Sequence, residues 1–252
     1  MTSVVICGAL GRMGTTIAGL LQDAEGLEFV GGVDIKEGTL FGKPVVPAGE
    51  IDAFLERVQP DVMIDFTIAA AAVGNIRAGA RHGVALVIGT TGFSGEQMQE
   101  IAGYIEGTVP AVISSNFSVG MNIFWKLVRE AAQRLGDYDI EVIEAHHRYK
   151  KDAPSGTART ILGIIEDEVG PREKLYGREG MTERTNEIGV HVVRGGDIVG
   201  DHTVLFAANH ETIELSHRAY DRAVFAHGVI RAARYIAGKE PRVYSMDDVL
   251  SL

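Results

Sequence analysis

Residues 144–158 read EAHHRYKKDAPSGTA and concentrate cationic and titratable side chains. Two histidines, an arginine, a tyrosine and two lysines occupy the six positions 146–151. Ser155, Gly156 and Thr157 then open a helix-like run, and the N–H groups and hydroxyls at the start of such a run form an anion site. Proton donors and positive charge beside that anion site suit a substrate that carries carboxylates. We therefore interpret the segment as a site for substrate binding and proton transfer.

Three other interpretations of this segment are open. His146 and His147 could bind a metal ion, but the sequence offers no third ligand nearby and Cys7 is its single cysteine, so we predict no metal. Neighbouring strand residues point to opposite faces of a sheet. One of the two histidines could therefore support the residues that bind the substrate without contacting the substrate itself. Lys150 and Lys151 also fit an ordinary solvated surface, although that interpretation does not explain why they precede a helix start.

A second candidate site lies where the strand TSVVIC runs into GALGRMG and a helix. Gly8, Gly11 and Gly14 let the backbone approach a pyrophosphate, and the helix N-terminus supplies unpaired N–H groups. Their spacing departs from the common G-x-G-x-x-G, so a turn that merely packs strand against helix is the alternative. Asp34 favours the nucleotide interpretation because it ends the second strand, 20 residues after Gly14, where a carboxylate can accept ribose hydroxyls.

The residues around Asp34 bear on which dinucleotide the site takes. A carboxylate at this position repels a 2′-phosphate, which predicts NADH as the preferred cofactor. Lys36 and Arg12 lie near enough in the sequence to neutralise such a phosphate. NADPH therefore stays open as a second cofactor.

Two later turns fall at the predicted carboxyl edge of the same sheet, where ligands bind in doubly wound folds. The turns comprise Gly89, Thr90 and Thr91 after the fourth strand and Ser114, Ser115, Asn116 and Phe117 after the fifth. Small and hydroxyl-bearing residues there suit contact with a nicotinamide and its ribose. Each turn is also explained as a helix start capped by Ser94 or Ser118, so the interpretation depends on three loops converging on one edge.

The order of strand and helix signals predicts the fold class. In the first half, apolar strand runs alternate with helical runs, at residues 2–7, 27–35, 61–66, 85–89 and 111–115. Such alternation predicts right-handed βαβ units and a parallel sheet. Later, three strand runs follow one another with little helix between them, at residues 188–194, 201–208 and 211–218. We therefore predict an α/β fold: a Rossmann-like doubly wound parallel sheet with a second α+β domain built on a mixed or antiparallel sheet.

The change of pattern also predicts the domain boundaries. Residues 1–117 and 218–252 are expected to form the dinucleotide-binding domain, because the C-terminal helical run returns to the first sheet. Residues 118–217 are expected to form the domain for substrate binding and oligomerisation.

Charge and hydropathy exclude several classes of partner. A formal net charge of -10 argues against a general affinity for nucleic acid or for anionic membranes. No apolar run approaches the roughly 20 residues that span a bilayer, and the start MTSVVICGALG lacks the basic region of a signal peptide. We therefore expect a cytoplasmic protein without a nucleic-acid or membrane partner.

The motifs EAHHRYKKDAPSGTA, GALGRMG, DFT, GTTGF, NFSVG and RGGDIVGDH together resemble those of the dihydrodipicolinate reductase family of lysine and diaminopimelate biosynthesis. The resemblance extends from the first strand to the C-terminal helix. It implies NAD(P)H-dependent reduction of 4-hydroxy-tetrahydrodipicolinate, a cyclic dicarboxylate, to tetrahydrodipicolinate, with loss of water. It also implies a homotetramer that assembles through the second domain.

The resemblance further implies roles for individual residues. His146 matches the position of the family's acid/base and Lys150 that of its proton donor. His147, Gly156 and Thr157 match positions that hold the substrate carboxylates, and we add Ser155 from its place at the helix start. The matching cofactor positions are Gly8, Ala9, Leu10, Gly11, Arg12, Met13, Asp34, Gly89, Thr90, Thr91, Ser114, Ser115, Asn116 and Phe117.

Two residues depart from the family pattern. Tyr149 stands where a histidine is expected, and Ile35 stands where members that use both cofactors carry an arginine, which weakens the expectation of NADPH use.

Two other functions stay open at this point. One is another dehydrogenase of the aspartate pathway, acting on homoserine or diaminopimelate. The other is a redox-sensing regulator that binds NADH without chemistry at the cationic segment.

Overall fold

The computed structural model describes residues 1–252 and divides the chain into two compact units. Unit 1 comprises Met1–Val119 and Ala223–Leu252, and unit 2 comprises Gly120–Arg222. None of the helices has both the length and the apolar character that crossing a bilayer requires.

Unit 1 is built on an eight-stranded sheet whose order is β13-β7-β6-β5-β1-β2-β4-β3. All neighbouring strands are parallel except the pair β3 and β4. The strands are β1 (Thr2–Cys7), β2 (Leu27–Asp34), β3 (Gly38–Leu40), β4 (Lys43–Pro47), β5 (Val62–Asp65), β6 (Ala85–Ile88), β7 (Ala111–Ile113) and β13 (Val243–Tyr244). The helices are α1 (Arg12–Gln22), α2 (Ile51–Val58), α3 (Ala69–Arg81), α4 (Gly95–Ile105), α7 (Ala223–Ile236) and α8 (Met246–Leu250).

The central strands of unit 1 are apolar throughout because helices cover both faces of the sheet. In β5 and β6 every residue is buried, and the residues of β1 from Val4 onward are fully buried. One core cluster joins one face to α1, α7 and α8, and a second joins the other face to α2, α3 and α4. The strand order reverses between β1 and β5, which makes the loops after these two strands the expected ligand edge of the sheet.

Unit 2 is built on a five-stranded mixed sheet whose order is β12-β11-β8-β10-β9. Strands β8, β10 and β9 are parallel, whereas β11 and β12 run antiparallel to their neighbours. The strands are β8 (Asp139–His146), β9 (Lys174–Tyr176), β10 (Ile188–Arg194), β11 (Gly200–Ala208) and β12 (Glu211–Ala219), and the helices are α5 (Val119–Arg134) and α6 (Gly156–Val169).

One face of this second sheet packs against helices. Alternate residues of β8 and β11, such as Ile140, Val142, Val204 and Phe206, form a core cluster with apolar residues of α5 and α6. Because strand side chains alternate between faces, Glu144 and His146 lie on this same face of β8. The packing of α6 therefore places its N-terminus on the side of the sheet that carries these two residues.

The predicted fold class is confirmed, including the mixed sheet of the second part. The capping box of α4, with Ser94 and Gln97 each bonded to the other's backbone, is also as the sequence predicts. Six elements carry no clear signal in the sequence because they are short or lie at an edge of a sheet: β3, β4, α2, β9, β13 and α8. Strand β8 ends at His146, because the chain turns there with the Lys150 N–H donating to the His147 carbonyl at 3.0 Å.

Candidate active site

The C-terminal end of β8 forms the centre of a polar cluster in unit 2. Glu144 lies opposite His202 of β11, and His146 lies opposite Arg194 of β10 in the strand register. The four side chains come from three neighbouring strands, and Ser155 at the start of α6 joins them. Sequence positions up to 58 residues apart thus meet in one cluster.

Glu144 is the most enclosed charged group of this cluster, with 1% of its surface exposed. Its Oε1 accepts hydrogen bonds from Arg194 Nη2 at 2.9 Å and from the Ser155 N–H at 2.8 Å. Its Oε2 accepts from Arg194 Nη1 at 3.0 Å and is bonded to His146 Nδ1. Burial alone would raise the pKa of Glu144, but the hydrogen bonds from His146, Arg194 and Ser155 outweigh it and lower the pKa to about 2. The group is therefore a carboxylate at any physiological pH.

His146 is buried, and its two nitrogens have different surroundings. Nδ1 is bonded to Glu144, whereas Nε2 lies on the side of Gly200: a Cβ atom built on Gly200 would sit 3.2 Å from it. The ring meets that of His202 edge to face, with 5.2 Å between centroids. The structure thus leaves Nε2 as the nitrogen of His146 that does not bind the carboxylate.

His202, the last residue of the motif RGGDIVGDH, belongs to this cluster although the sequence alone gave it no role. It is 4% exposed, its Nε2 lies 3.3 Å from the Ser155 hydroxyl, and its Nδ1 has no hydrogen-bond partner. Burial is the main cause that lowers its pKa to about 3, and electrostatic interaction with the neighbouring His146 lowers it further. His202 is therefore a neutral imidazole beside His146.

Glu144, His146 and His202 also satisfy the spacing of a metal site, with ligand atoms within 4.8 Å of one another. The sequence-based premise that His146 has no third ligand nearby is therefore wrong, because β11 brings His202 to it. The carboxylate of Glu144, however, already binds both terminal nitrogens of Arg194. A cation at this position would compete with a guanidinium for the same oxygens. The prediction that the site holds no metal stays a prediction.

Lys150 lies in the turn that follows β8. Its Nζ is 2.9 Å from Asp152 Oδ1, and this contact helps to lower the pKa of Asp152 against the opposing effect of burial. Lys150 is also near enough to His202 to contribute to the lowering of that pKa. His147 directly follows the last residue of β8, and its ring lies 6.3 Å from that of Tyr149, which is 79% exposed.

Ser155 is the N-cap of α6, and it is 1% exposed. Its hydroxyl accepts from the Ala158 N–H at 3.1 Å, and its own N–H donates to Glu144. The hydroxyl and N–H of Ser155 are thus used inside the protein, and its predicted contact with the substrate stays a prediction. Gly156 is exposed and Thr157 is partly exposed, so these two present the first turn of the helix to the outside.

In unit 1 the glycine loop is shaped by backbone crowding. Gly8 has a φ of +78°, and a Cβ built on it would lie 2.7 Å from the carbonyl oxygen of Phe66. A Cβ on Gly14 would lie 2.1 Å from the Gly8 carbonyl oxygen. Both positions exclude any other residue, so the loop after β1 and the start of α1 approach each other closely. Gly11 caps α1 without a side-chain hydrogen bond, which leaves the first turn of the helix free to meet an anion.

Asp34, the last residue of β2, binds the backbone of this loop through its carboxylate. Its Oδ2 accepts from the Leu10 N–H at 2.8 Å and its Oδ1 from the Ile35 N–H at 2.7 Å. Ile35 is 88% exposed. Of the other predicted loop contacts, Ala9 is fully buried, Met13 is partly buried, and Leu10, Gly11 and Arg12 are exposed.

A buried carboxylate that the sequence analysis did not single out joins the loops after β5 and β6. Asp65 Oδ1 accepts from the hydroxyls of Thr90 at 2.6 Å and Thr67 at 2.8 Å, and its Oδ2 accepts from Asn75 Nδ2 at 2.8 Å. Thr90, predicted as a cofactor contact, is buried and uses its hydroxyl in this network. The DFT motif was the signal available in the sequence.

The ring of Phe66 lies against two predicted cofactor positions, Gly89 and Phe117. A Cβ on Gly89 would lie 2.1 Å from the ring of Phe66, so any larger residue there would have to displace that ring. The ring of Phe66 also meets that of Phe117, with 6.0 Å between centroids, and Phe117 is buried.

The remaining turn residues differ in exposure. Ser114 Oγ donates to the Asn116 carbonyl at 2.8 Å, so this turn is held from within. Thr91 and Ser115 are exposed.

Comparisons with known proteins agree on one family. The model described as "Dihydrodipicolinate reductase, N-terminus" matches residues 2–117, and "Dihydrodipicolinate reductase, C-terminus" matches residues 120–250. Proteins named 4-hydroxy-tetrahydrodipicolinate reductase from Methanoculleus marisnigri and Methanocorpusculum labreanum are 69% and 67% identical to this chain, over the full length of both chains in each case. A dipicolinate-bound dihydrodipicolinate reductase from Paenisporosarcina sp. TG-14 is 25% identical, covers 98% of each chain, and superposes with a TM-score of 0.83.

Proposed function

Because the chain belongs to the dihydrodipicolinate reductase family, we propose that it reduces 4-hydroxy-tetrahydrodipicolinate to tetrahydrodipicolinate with NAD(P)H, in lysine and diaminopimelate biosynthesis. The observation that carries the proposal is the cluster at the end of β8, where His146 meets a buried carboxylate beside Lys150 and an exposed helix start. The solved relative of the same family was obtained with bound dipicolinate, a planar ring dicarboxylate. A cytoplasmic location is part of this proposal.

Each site residue of unit 2 has a separate role in the proposed reaction. Gly156 and Thr157, at the N-terminus of α6, hold a substrate carboxylate with backbone N–H groups and the positive end of the helix, and His147 binds the second carboxylate. Lys150 gives a proton to the ring, and His146 acts as the neighbouring acid/base through Nε2. Ser155 acts indirectly, because it ties the helix start to Glu144. Elimination of water needs no net proton, so the single proton from Lys150 balances the added hydride.

Unit 1 fits a dinucleotide. Its glycine loop excludes side chains where a diphosphate approaches, the first turn of α1 has no side-chain cap, and Asp34 stands at the end of β2. When bound there, NAD(P)H supplies the hydride. The residues proposed to hold the cofactor are the predicted ones. Gly8 to Met13 and Asp34 contact it directly, and the loops with Gly89, Thr90, Thr91 and Ser114 to Phe117 form the part of the site that surrounds the nicotinamide.

The direct test is oxidation of NADH in the presence of the cyclic substrate, generated in the assay from pyruvate and aspartate semialdehyde. Wild-type protein should turn over, and Lys150→Ala should lose about 100-fold or more in kcat while its NADH affinity stays within twofold, because a proton donor is removed from unit 2 alone. Lys151→Ala removes the same charge one position away and should lose less than tenfold.

Three outcomes of that assay would contradict the proposal. Oxidation of meso-diaminopimelate or homoserine instead would indicate another aspartate-pathway dehydrogenase. NADH binding without any turnover would indicate a regulator. Equal losses in the two lysine variants would contradict the role of Lys150 as proton donor.

The surroundings of Asp34 predict a preference for NADH over NADPH. Ile35→Arg should raise kcat/KM for NADPH about tenfold and leave that for NADH within twofold, since an exposed guanidinium there pairs with the 2′-phosphate. Ile35→Gln lengthens the side chain without charge and should leave the ratio unchanged. A wild-type protein with higher kcat/KM for NADPH would contradict the assignment of Asp34.

We also propose a homotetramer that assembles through the sheet of unit 2. The face of this sheet opposite α5 and α6 carries exposed apolar side chains, among them Ile143 and Val193. Sedimentation equilibrium should give four times the chain mass of 27.1 kDa, and Val193→Glu should lower it. A wild-type protein that stays monomeric at micromolar concentration would contradict this assembly.

A further inference from the structure

We propose that Glu144 is a positioning residue that orients His146 and fixes its neutral tautomer, with the proton on Nδ1, and that Gly200 keeps the space beside Nε2 open for the substrate. The proposal rests on the proposed function for what Nε2 does in the reaction. Its geometry stands on the contacts of unit 2 alone.

The tautomer follows from what Glu144 can accept and donate. Both terminal nitrogens of Arg194 donate to its two oxygens, at 3.0 and 2.9 Å, and the Ser155 N–H donates to Oε1. A carboxylate that receives a guanidinium on both oxygens is ionised and has no proton to give. His146 Nδ1, which is bonded to the same carboxylate, must therefore be the donor. In the neutral ring Nε2 is then the unprotonated nitrogen.

Arg194 makes this arrangement rigid. Its planar guanidinium binds the carboxylate as a fork, which sets the plane of Glu144. Nη2 also donates to the Asp152 carbonyl at 2.7 Å. The same arginine thus connects the carboxylate behind His146 to the loop that carries Lys150, whose Nζ binds the Asp152 side chain.

Gly200 defines the other side of the His146 ring. A Cβ on this residue would lie 3.2 Å from Nε2 and 3.6 Å from Cδ2 of His146, and its φ is outside the left-handed region. Alanine is therefore compatible with the backbone but crowds Nε2 by a few tenths of an ångström. The glycine is explained by access to the histidine and not by backbone conformation.

The first test is a two-bond ¹H–¹⁵N correlation spectrum of the wild-type protein with ¹⁵N-labelled histidine. His146 is assigned by the signals that disappear in His146→Gln. For the neutral ring we expect Nδ1 to be protonated and Nε2 to be unprotonated. The reverse pattern would overturn the proposal, whatever the activity of the protein.

The second test is a kinetic double-mutant cycle in the NADH oxidation assay. Glu144→Gln keeps the shape but not the charge, and it should lower kcat about 100-fold with KM for the cyclic substrate within threefold. In the His146→Gln background the same change should have no further effect, because Glu144 acts through His146. Losses that multiply in the double variant would overturn the proposal.

Gly200→Ala tests the second part of the proposal, and it does not depend on whether Glu144→Gln folds. It should lower kcat at least tenfold in the wild type and leave His146→Gln unchanged. A Gly200→Ala variant with wild-type kcat would overturn the role of Gly200.

Asp52→Asn is the matched control, since Asp52 is a carboxylate bonded to Arg81 and His82 on the exterior of unit 1. Its kcat should stay within twofold of wild type, and a loss as large as that of Glu144→Gln would overturn the specificity of the effect.

The proposed function and the positioning role of Glu144 are tested separately. Wild-type turnover together with a reversed tautomer would leave the proposed function standing and overturn the positioning role. The expected tautomer in a protein without turnover would support the positioning role and overturn the proposed function.

Discussion

The ion pair between Glu144 and Arg194 is the interaction on which the candidate active site depends. Glu144 is withdrawn from water, and such burial of a charge costs several kcal/mol unless the charge is paired and hydrogen-bonded. Here the fork of Arg194, the Ser155 N–H and His146 together occupy the carboxylate oxygens. The cost is offset by contacts that also join β8, β10 and α6. A single buried carboxylate therefore fixes the relative positions of three elements that carry site residues.

The mixed sheet of unit 2 makes this convergence possible. Parallel pairing with β10 brings Arg194 beside His146, and antiparallel pairing with β11 brings His202 beside Glu144. Side chains of these paired residues project to the same face, where α6 begins. The candidate cofactor loops of unit 1 are shaped differently, by close backbone approach at Gly8 and Gly14 and by the ring of Phe66 against Gly89. Unit 2 thus positions its polar side chains by ion pairing, whereas unit 1 shapes its loops at positions where there is no room for a side chain.

The sequence predicted more of the fold than of the site. Apolar periodicity and the order of elements were enough for the doubly wound sheet and the mixed sheet, because these depend on patterns within each element. The dense segment after Glu144 also identified the position of the candidate site. The sequence could not show that Arg194 and His202 lie beside that segment. They are about 50 residues away along the chain, and the register of the strands decides which residues they meet.

Hydroxyl groups show the same limit of sequence reasoning. Ser155 and Thr90 were predicted to contact ligands, yet their hydroxyls bind inside the protein, to the Ala158 N–H and to Asp65. A serine or threonine at a turn looks the same in the sequence whether it meets a ligand or the backbone. Asp65 and Glu144, the buried carboxylates that organise these turns, become recognisable only when burial is known.

The most direct measurement of the central claim is the coupling between Glu144 and Arg194 in the free energy of unfolding. It is obtained at pH 7 from urea denaturation of the wild type, Glu144→Gln, Arg194→Met and the double variant. Because each single change leaves a buried or half-buried charge without its partner, the double variant should be more stable than the sum of the two losses predicts, by about 2 kcal/mol or more. Losses that add to within about 0.5 kcal/mol would contradict the account.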